Sequence, residues 1–154
     1  MKRFKKSTAT SRQFSATSAA LDNALQSAAD IEDYLARHAG NLLSQSLPEH
    51  LQMLLSQKGL RRADVVRGSL LDRTYVYQIF SGDKTPSRDK LIALAFGLGL
   101  SGQETQTMLK LSGNRELYVR DPRDALILFS IRRGKTIFET NEALSDHEFS
   151  LLGV

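Results

Sequence analysis

Between residues 59 and 82 the chain reads GLRRADVVRGSLLDRTYVYQIFSG, and the second half of this stretch holds the side chains best suited to chemistry. Arg73, Thr74, Tyr77 and Gln78 are types that bond to base edges and phosphates. Arginine suits O6 and N7 of guanine, glutamine suits N6 and N7 of adenine, and tyrosine can touch a thymine methyl or a phosphate. The four share one surface if the segment is helical. Val76, Ile79 and Phe80, at i, i+3 and i+4, then define the opposite, apolar face. Asp72 has N-cap chemistry and Gly82 stands where a left-handed C-cap belongs, so the spacing predicts a helix over 72–81. Arg61 and Arg62, opening the preceding helix, and Lys84 and Arg88 beyond the second one are candidate phosphate contacts. The exposed amides at the start of the preceding helix would assist them. The same periodicity also fits a plain helical hairpin in a core, so the surrounding elements have to decide.

Those elements are capped and periodic. Leu51, Leu54 and Leu55 make the stripe of a first helix, with Ser46 and Glu49 as a capping box and Pro48 in the first turn. A short helix near 62–68 buries Val65 and Val66, and the three or four residues before Asp72 force a sharp corner. Thr85-Pro86-Ser87 starts a further helix carrying Leu91, Leu94, Ala95 and Leu98, with Gly97 and Gly99 at its end. Ser101 and Glu104 cap the next.

Residues 47–112 resemble the helix-turn-helix domain of phage repressors and Cro, the XRE type. The resemblance is carried by Gln57-Lys58-Gly59-Leu60, Val65-Val66, Thr74-Tyr75-Val76 with Ile79, Ser81-Gly82, Thr85-Pro86-Ser87 and the helix from Leu91 to Leu100. It covers under half of the chain. It implies that helix 72–81 lies in the major groove with its N-terminal half against the bases, and that two copies act as a symmetric dimer. The family commonly has glycine just before the recognition helix; here Leu70 occupies that place, and Gly68 lies two residues earlier. A left-handed leucine costs on the order of 1 kcal/mol, so a corner of different construction is expected. Phe80 stands where the family often has glutamate, and its position on the apolar face makes it extra core.

The expected class is therefore all-α: a five-helix repressor/Cro-like helix-turn-helix domain with extra N- and C-terminal helices. Residues 1–20 read as a disordered basic arm, 21–46 as an N-terminal helical extension, 47–114 as the DNA-binding domain, and 115–154 as a C-terminal helical segment. In the extension, Leu21, Leu25 and Ala28 suggest one short helix, and Asp30 caps another bearing Ile31, Tyr34 and Leu35; Leu42 and Leu43 resume the pattern. In the last segment, Asp121-Pro122 starts a helix whose 125–131 run is apolar almost all round and reads as buried. Thr136 and Glu139 box another, and 148–152 reads as a final turn. The C-terminal pair either enlarges the monomer core or forms a dimer face, and the sequence leaves both open.

Charge follows the same division. The net +4 of the 154 residues gathers at Lys2, Arg3, Lys5, Lys6 and Arg12, with no acid among the first twenty residues, and on the 47–114 module, with nine bases and six acids. Phosphate binding calls for that distribution. The acidic 21–46 stretch argues against DNA contact there. No cysteine is present, which excludes a thiolate metal site and is compatible with a reducing cytoplasm, the expected location. No run approaches the ~20 apolar residues of a membrane helix. His38, His50 and His147 are far apart without metal-type spacing and read as surface or capping residues; no phosphate loop and no placed nucleophile appear, so no enzyme, cofactor or metal is expected. The reading is a sequence-specific regulator of double-stranded DNA. The competing one is the same fold used as a protein-interaction adaptor, with flanking helices or an apolar patch of Tyr75, Tyr77 and Phe80 meeting a protein partner.

Overall fold

The computed structural model describes residues 17–38 and 45–153, and these form helices and loops without a strand among the described residues. The chain divides into two units, 1–44 and 45–154. In the first, α1 (Ser18–Ser27) begins at Thr17, whose hydroxyl accepts from the Ala20 amide, and α2 (Ile31–Arg37) begins at Asp30, which accepts from the Asp33 amide. The two helices touch, and Tyr34 is buried with its ring 4.8 Å from that of His38. Residues 18–20, assigned to the arm by composition, are helical because Thr17 supplies a cap that composition does not register. The rest of the basic arm, and Leu42 and Leu43, lie outside the described residues.

The second unit is all-helical, and nearly every helix start is written locally. Its helices are α3 (Leu47–Gln57), α4 (Arg62–Ser69), α5 (Arg73–Ser81), α6 (Arg88–Leu98), α7 (Gly102–Leu111), α8 (Pro122–Arg132) and α9 (Ile137–Asp146). Ser46/Glu49, Ser101/Glu104 and Thr136/Glu139 close reciprocal capping boxes on α3, α7 and α9. Asp72, Ser87 and Asp121 each accept an amide of the first turn of α5, α6 and α8. One continuous core collects Leu51 and Leu54 of α3, Val65 of α4, Val76 and Ile79 of α5, Leu91, Ile92 and Leu94 of α6, Met108 and Leu109 of α7, Ile127 of α8, and Ile137 and Leu144 of α9. The inner faces of α8 and α9 thus belong to the same core as α3 to α7. Phe129 of α8 departs from the expected all-round burial: it is 51% exposed, with the Arg133 guanidinium 4.6 Å from its ring centroid.

The crossing of α4 and α6 depends on two glycines. A methyl group built on Gly97 would lie 2.6 Å from the Val65 carbonyl oxygen, and one on Gly68 would lie 3.0 Å from Gly97 Cα. Gly97 is therefore a contact residue inside α6. Of the two glycines read as helix-end residues, Gly99 alone is the left-handed cap. The expected helical turn at 148–152 is also absent. That segment runs as an irregular strap because Asn141 competes for its backbone: its side chain accepts from the Leu152 amide at 2.8 Å and donates to the Leu152 carbonyl at 2.9 Å. Gln106 pins Leu117 in the same way at 2.8 and 2.9 Å.

His50 also departs from expectation, buried rather than at the surface. Its Nδ1 lies 3.2 Å from Gln45 Oε1, and Nε2 has no partner among the described residues. Burial pushes its imidazole below the ordinary value of 6.5, against the opposing charge of Glu104.

Two tests follow from this packing. Gly97→Ala should destabilise the fold by about 1–3 kcal/mol in urea unfolding, since backbone atoms of α4 would have to move. Above pH 6.5 the neutral His50 suits both folded and unfolded chains; as pH falls below 6.5 the unfolded chain takes up the proton first, so stability should decline. The slope for one proton cannot exceed about 1.4 kcal/mol per pH unit. His50→Gln should flatten the pH 7.5 to 5.5 range, leaving acid losses only where carboxylates such as Glu104 and Asp124 titrate, below their ordinary 4.5 and 3.8.

Candidate nucleic-acid interface

Helix α5 is held by one side. Val76 and Ile79 are fully buried, Phe80 is 7% exposed, and Leu71 anchors the approach. The Asp72 carboxylate accepts from the Tyr75 amide at 3.3 Å, and Gly82 ends the helix at φ 89°. Phe80 sits in the core, where the apolar face of the sequence put it. Tyr75 is half-buried against that core, with Lys90 Nζ 6.0 Å from its ring centroid. The opposite face carries Arg73 and Thr74, both exposed, Tyr77 at 37% exposure, and a half-exposed Gln78. The four base-reading candidates therefore share one outward surface.

Tyr77 ties that surface to α4. The Arg62 guanidinium lies 5.0 Å and that of Arg73 5.9 Å from its ring centroid, and Arg73 Nη1 donates to the Tyr77 hydroxyl at 3.4 Å. A ring with cations nearby is held in place through its π-face. It also removes the apolar patch imagined for Tyr75, Tyr77 and Phe80: one ring is in the core, one is half-buried, and the third is overlaid by arginine.

The phosphate candidates divide. Lys84 is exposed in the loop after α5. Arg62 is exposed beside Tyr77. Arg61 is exposed, but it shares the Asp64 carboxylate with Arg67. Asp64 also accepts the Arg61 amide at 2.9 Å, so an internal anion already caps the first turn of α4, where free amides had been expected to meet phosphate. That amide, the Arg61 side-chain bond and the charges of Arg61 and Arg67 hold the Asp64 carboxyl below its ordinary value. Arg67, which spacing from the corner did not bring to notice, is 65% exposed and adds a cation to the same edge.

Arg88 does not belong to this surface, and its assignment to phosphate is withdrawn. Its side chain is 17% exposed and makes two bonds to Asp124 of α8, at 3.2 and 2.7 Å. It also donates to the carbonyls of Arg115 and Glu116 at 2.8 and 2.9 Å. Beside it Arg123 of α8 reaches back to Asp89 of α6 with two bonds of 3.1 Å. Neighbouring residues on the two helices thus exchange opposite charges. Burial alone would raise the Asp124 carboxyl; the bonds from Arg88 and the Tyr118 amide, with the charges of Arg88 and Arg115, carry it below the ordinary value instead. Sequence spacing could not separate Arg88 from a phosphate contact, because its partner lies 36 residues away.

A different surface lies between α8 and α9. A groove of about 570 Å³ has Leu126, Phe129 and Phe149 among its lining, with the carboxylates of Glu139, Glu142 and Asp146 along α9. Among the described residues no group of three or more His, Cys, Asp or Glu is placed to hold a metal ion.

Comparison with protein-family models, with curated proteins and with solved structures yields no match.

Arg88→Ala should cost about 3–5 kcal/mol in urea unfolding, because it leaves the buried Asp124 carboxylate without its cation.

Proposed function

We propose that this chain is a sequence-specific regulator of transcription. In this reading 47–112 adopts the repressor/Cro type of helix-turn-helix, and α5 lies in the major groove of double-stranded DNA. The observation that carries the proposal is the outward display of Arg73, Thr74, Tyr77 and Gln78 on a helix whose other side is sealed into the core. A short rigid helix with such a face can present bidentate donors to base edges without paying side-chain order twice, since Tyr77 is already held against two arginines. Arg73 reads guanine, Gln78 reads adenine, and Tyr77 meets a thymine methyl or a phosphate. Arg62, Arg61 and Lys84 contribute phosphate attraction without sequence preference. The chain needs no cofactor for this, because recognition is carried by its own side chains.

The second reading is a protein-interaction adaptor. The groove between α8 and α9 favours it, since a half-exposed Phe129 beside a row of acids is a surface a basic amphipathic segment would fit. Salt separates the two readings: duplex binding that weakens steeply with added salt supports the regulator, and absence of duplex binding at low salt supports the adaptor.

Selection of binding sites from random duplexes, followed by affinity measurements on variants, tests the proposal. Arg73→Ala and Gln78→Ala should each lose about 1–3 kcal/mol and relax preference at one base position. Arg62→Ala should weaken all sequences alike and make the logarithmic salt dependence shallower by about one unit. Unchanged binding by all three variants would move the interface away from α5.

A further inference from the structure

The corner before α5 contains a leucine where left-handed backbone is needed. Leu70 has φ 64° and ψ 11°, contrary to the different construction that its side chain led one to expect. Such a conformation is unfavourable for a residue with a Cβ and is usually left to glycine or asparagine. Local bonding helps only at the next residue: Ser69 Oγ accepts from the Leu71 amide at 3.2 Å.

The remaining support comes from far along the chain. Leu152 is fully buried, and Gly153 packs directly on the corner. A methyl group on Gly153 would lie 2.8 Å from the Ser69 carbonyl oxygen and 2.9 Å from Leu70 Cβ. Gly153 is itself left-handed at φ 75°, so this close approach has both a steric and a conformational reason to use glycine. The strap is tied down along its length. Asn141 makes both of its bonds to Leu152, Arg123 Nε donates to the Ser150 carbonyl at 3.1 Å, and the Phe149 amide donates to the Leu144 carbonyl at 2.8 Å.

We infer that residues 149–153, clamped by Asn141 and seated by Gly153, are a positioning strap that holds Leu70 left-handed and thereby sets the angle at which α5 presents Arg73, Thr74, Tyr77 and Gln78. Neither Asn141 nor Gly153 touches the reading face. They act through the Ser69–Leu70 backbone, whose rotation would swing α5 against α4. The consequence for DNA rests on the regulator reading; the consequence for the corner does not.

The test uses the full chain with Gly153→Ala and Asn141→Ala, each alone and combined with Leu70→Gly or Leu70→Asn. Amide hydrogen exchange at Leu71 and the first turn of α5 reports the corner, and affinity for a selected duplex reports the reading face. Each strap variant alone should speed exchange at the corner and weaken duplex binding by about five- to thirtyfold, the factor corresponding to the left-handed cost of a leucine. Either replacement at Leu70 should restore both readouts of Asn141→Ala to within about twofold, since those residues adopt the conformation at little cost; Gly153→Ala, whose methyl would still meet the Ser69 carbonyl, should be restored only in part. Simple loss of core packing would not be rescued by removing a further side chain from the corner. Strap variants with parental exchange, or faster exchange in Asn141→Ala that neither Leu70 replacement corrects, would overturn the inference. If the parent chain binds no duplex at low salt, the regulator reading fails by itself, and the exchange measurements still decide the strap.

Discussion

The approach of α4 to α6 at Gly68 and Gly97 sets the positions of most other parts of the second unit. With the Val65 carbonyl lying where a Gly97 methyl would go, and Val65 Cγ1 and Ser69 Cβ at 3.0 and 3.1 Å from that point, the two helices meet with no room for a side chain on α6 at this position. Packing this tight leaves few alternative arrangements. It fixes α4, and the corner that leaves α4 then has only a few residues in which to turn toward α5. The same α6 begins with Arg88 and Asp89, so its placement also determines where α8 can dock through Asp124 and Arg123.

These paired charges distinguish two uses of arginine in one chain. Arg88 and Arg123 are largely buried, each with two donors on a carboxylate and further bonds to loop carbonyls, two from Arg88 and one from Arg123, and their work is to join α6 to α8. Arg62 and Arg73 sit outside, overlying the Tyr77 ring, where a guanidinium keeps unsatisfied donors. The planar fork of arginine suits both tasks, and the residue type alone says nothing of which one applies. Solvent access and the presence of a carboxylate decide it. Asp64 shows the intermediate case, since it draws on Arg61 and Arg67 at the edge of the proposed interface without burying either.

The strap and the corner illustrate how a locally unfavourable choice is tolerated. A leucine held left-handed contributes apolar contact to the core while a distant glycine supplies the room. The cost and its compensation lie on segments about eighty residues apart, so neither makes sense alone. For the same reason the extra C-terminal helices are more than an enlargement of the core. They bring Asn141 and the strap to the one turn that orients α5.

Helix starts and faces were legible in the residues themselves. Ser46/Glu49, Asp72, Ser87, Ser101/Glu104, Asp121 and Thr136/Glu139 cap the helices that their spacing predicts, because a cap bond spans only three residues and depends on nothing beyond them. The inward set Val76, Ile79 and Phe80 and the outward set Arg73, Thr74, Tyr77 and Gln78 follow equally from a 3.6-residue period. Tertiary structure decided what depends on residues meeting across the chain: Arg88 turned inward to Asp124, His50 buried, Gly97 made a contact rather than a terminator, and Leu70 forced left-handed beneath Gly153. A side chain's period tells which way it faces from its own helix, whereas its role depends on what stands opposite, and that partner is brought there only by folding.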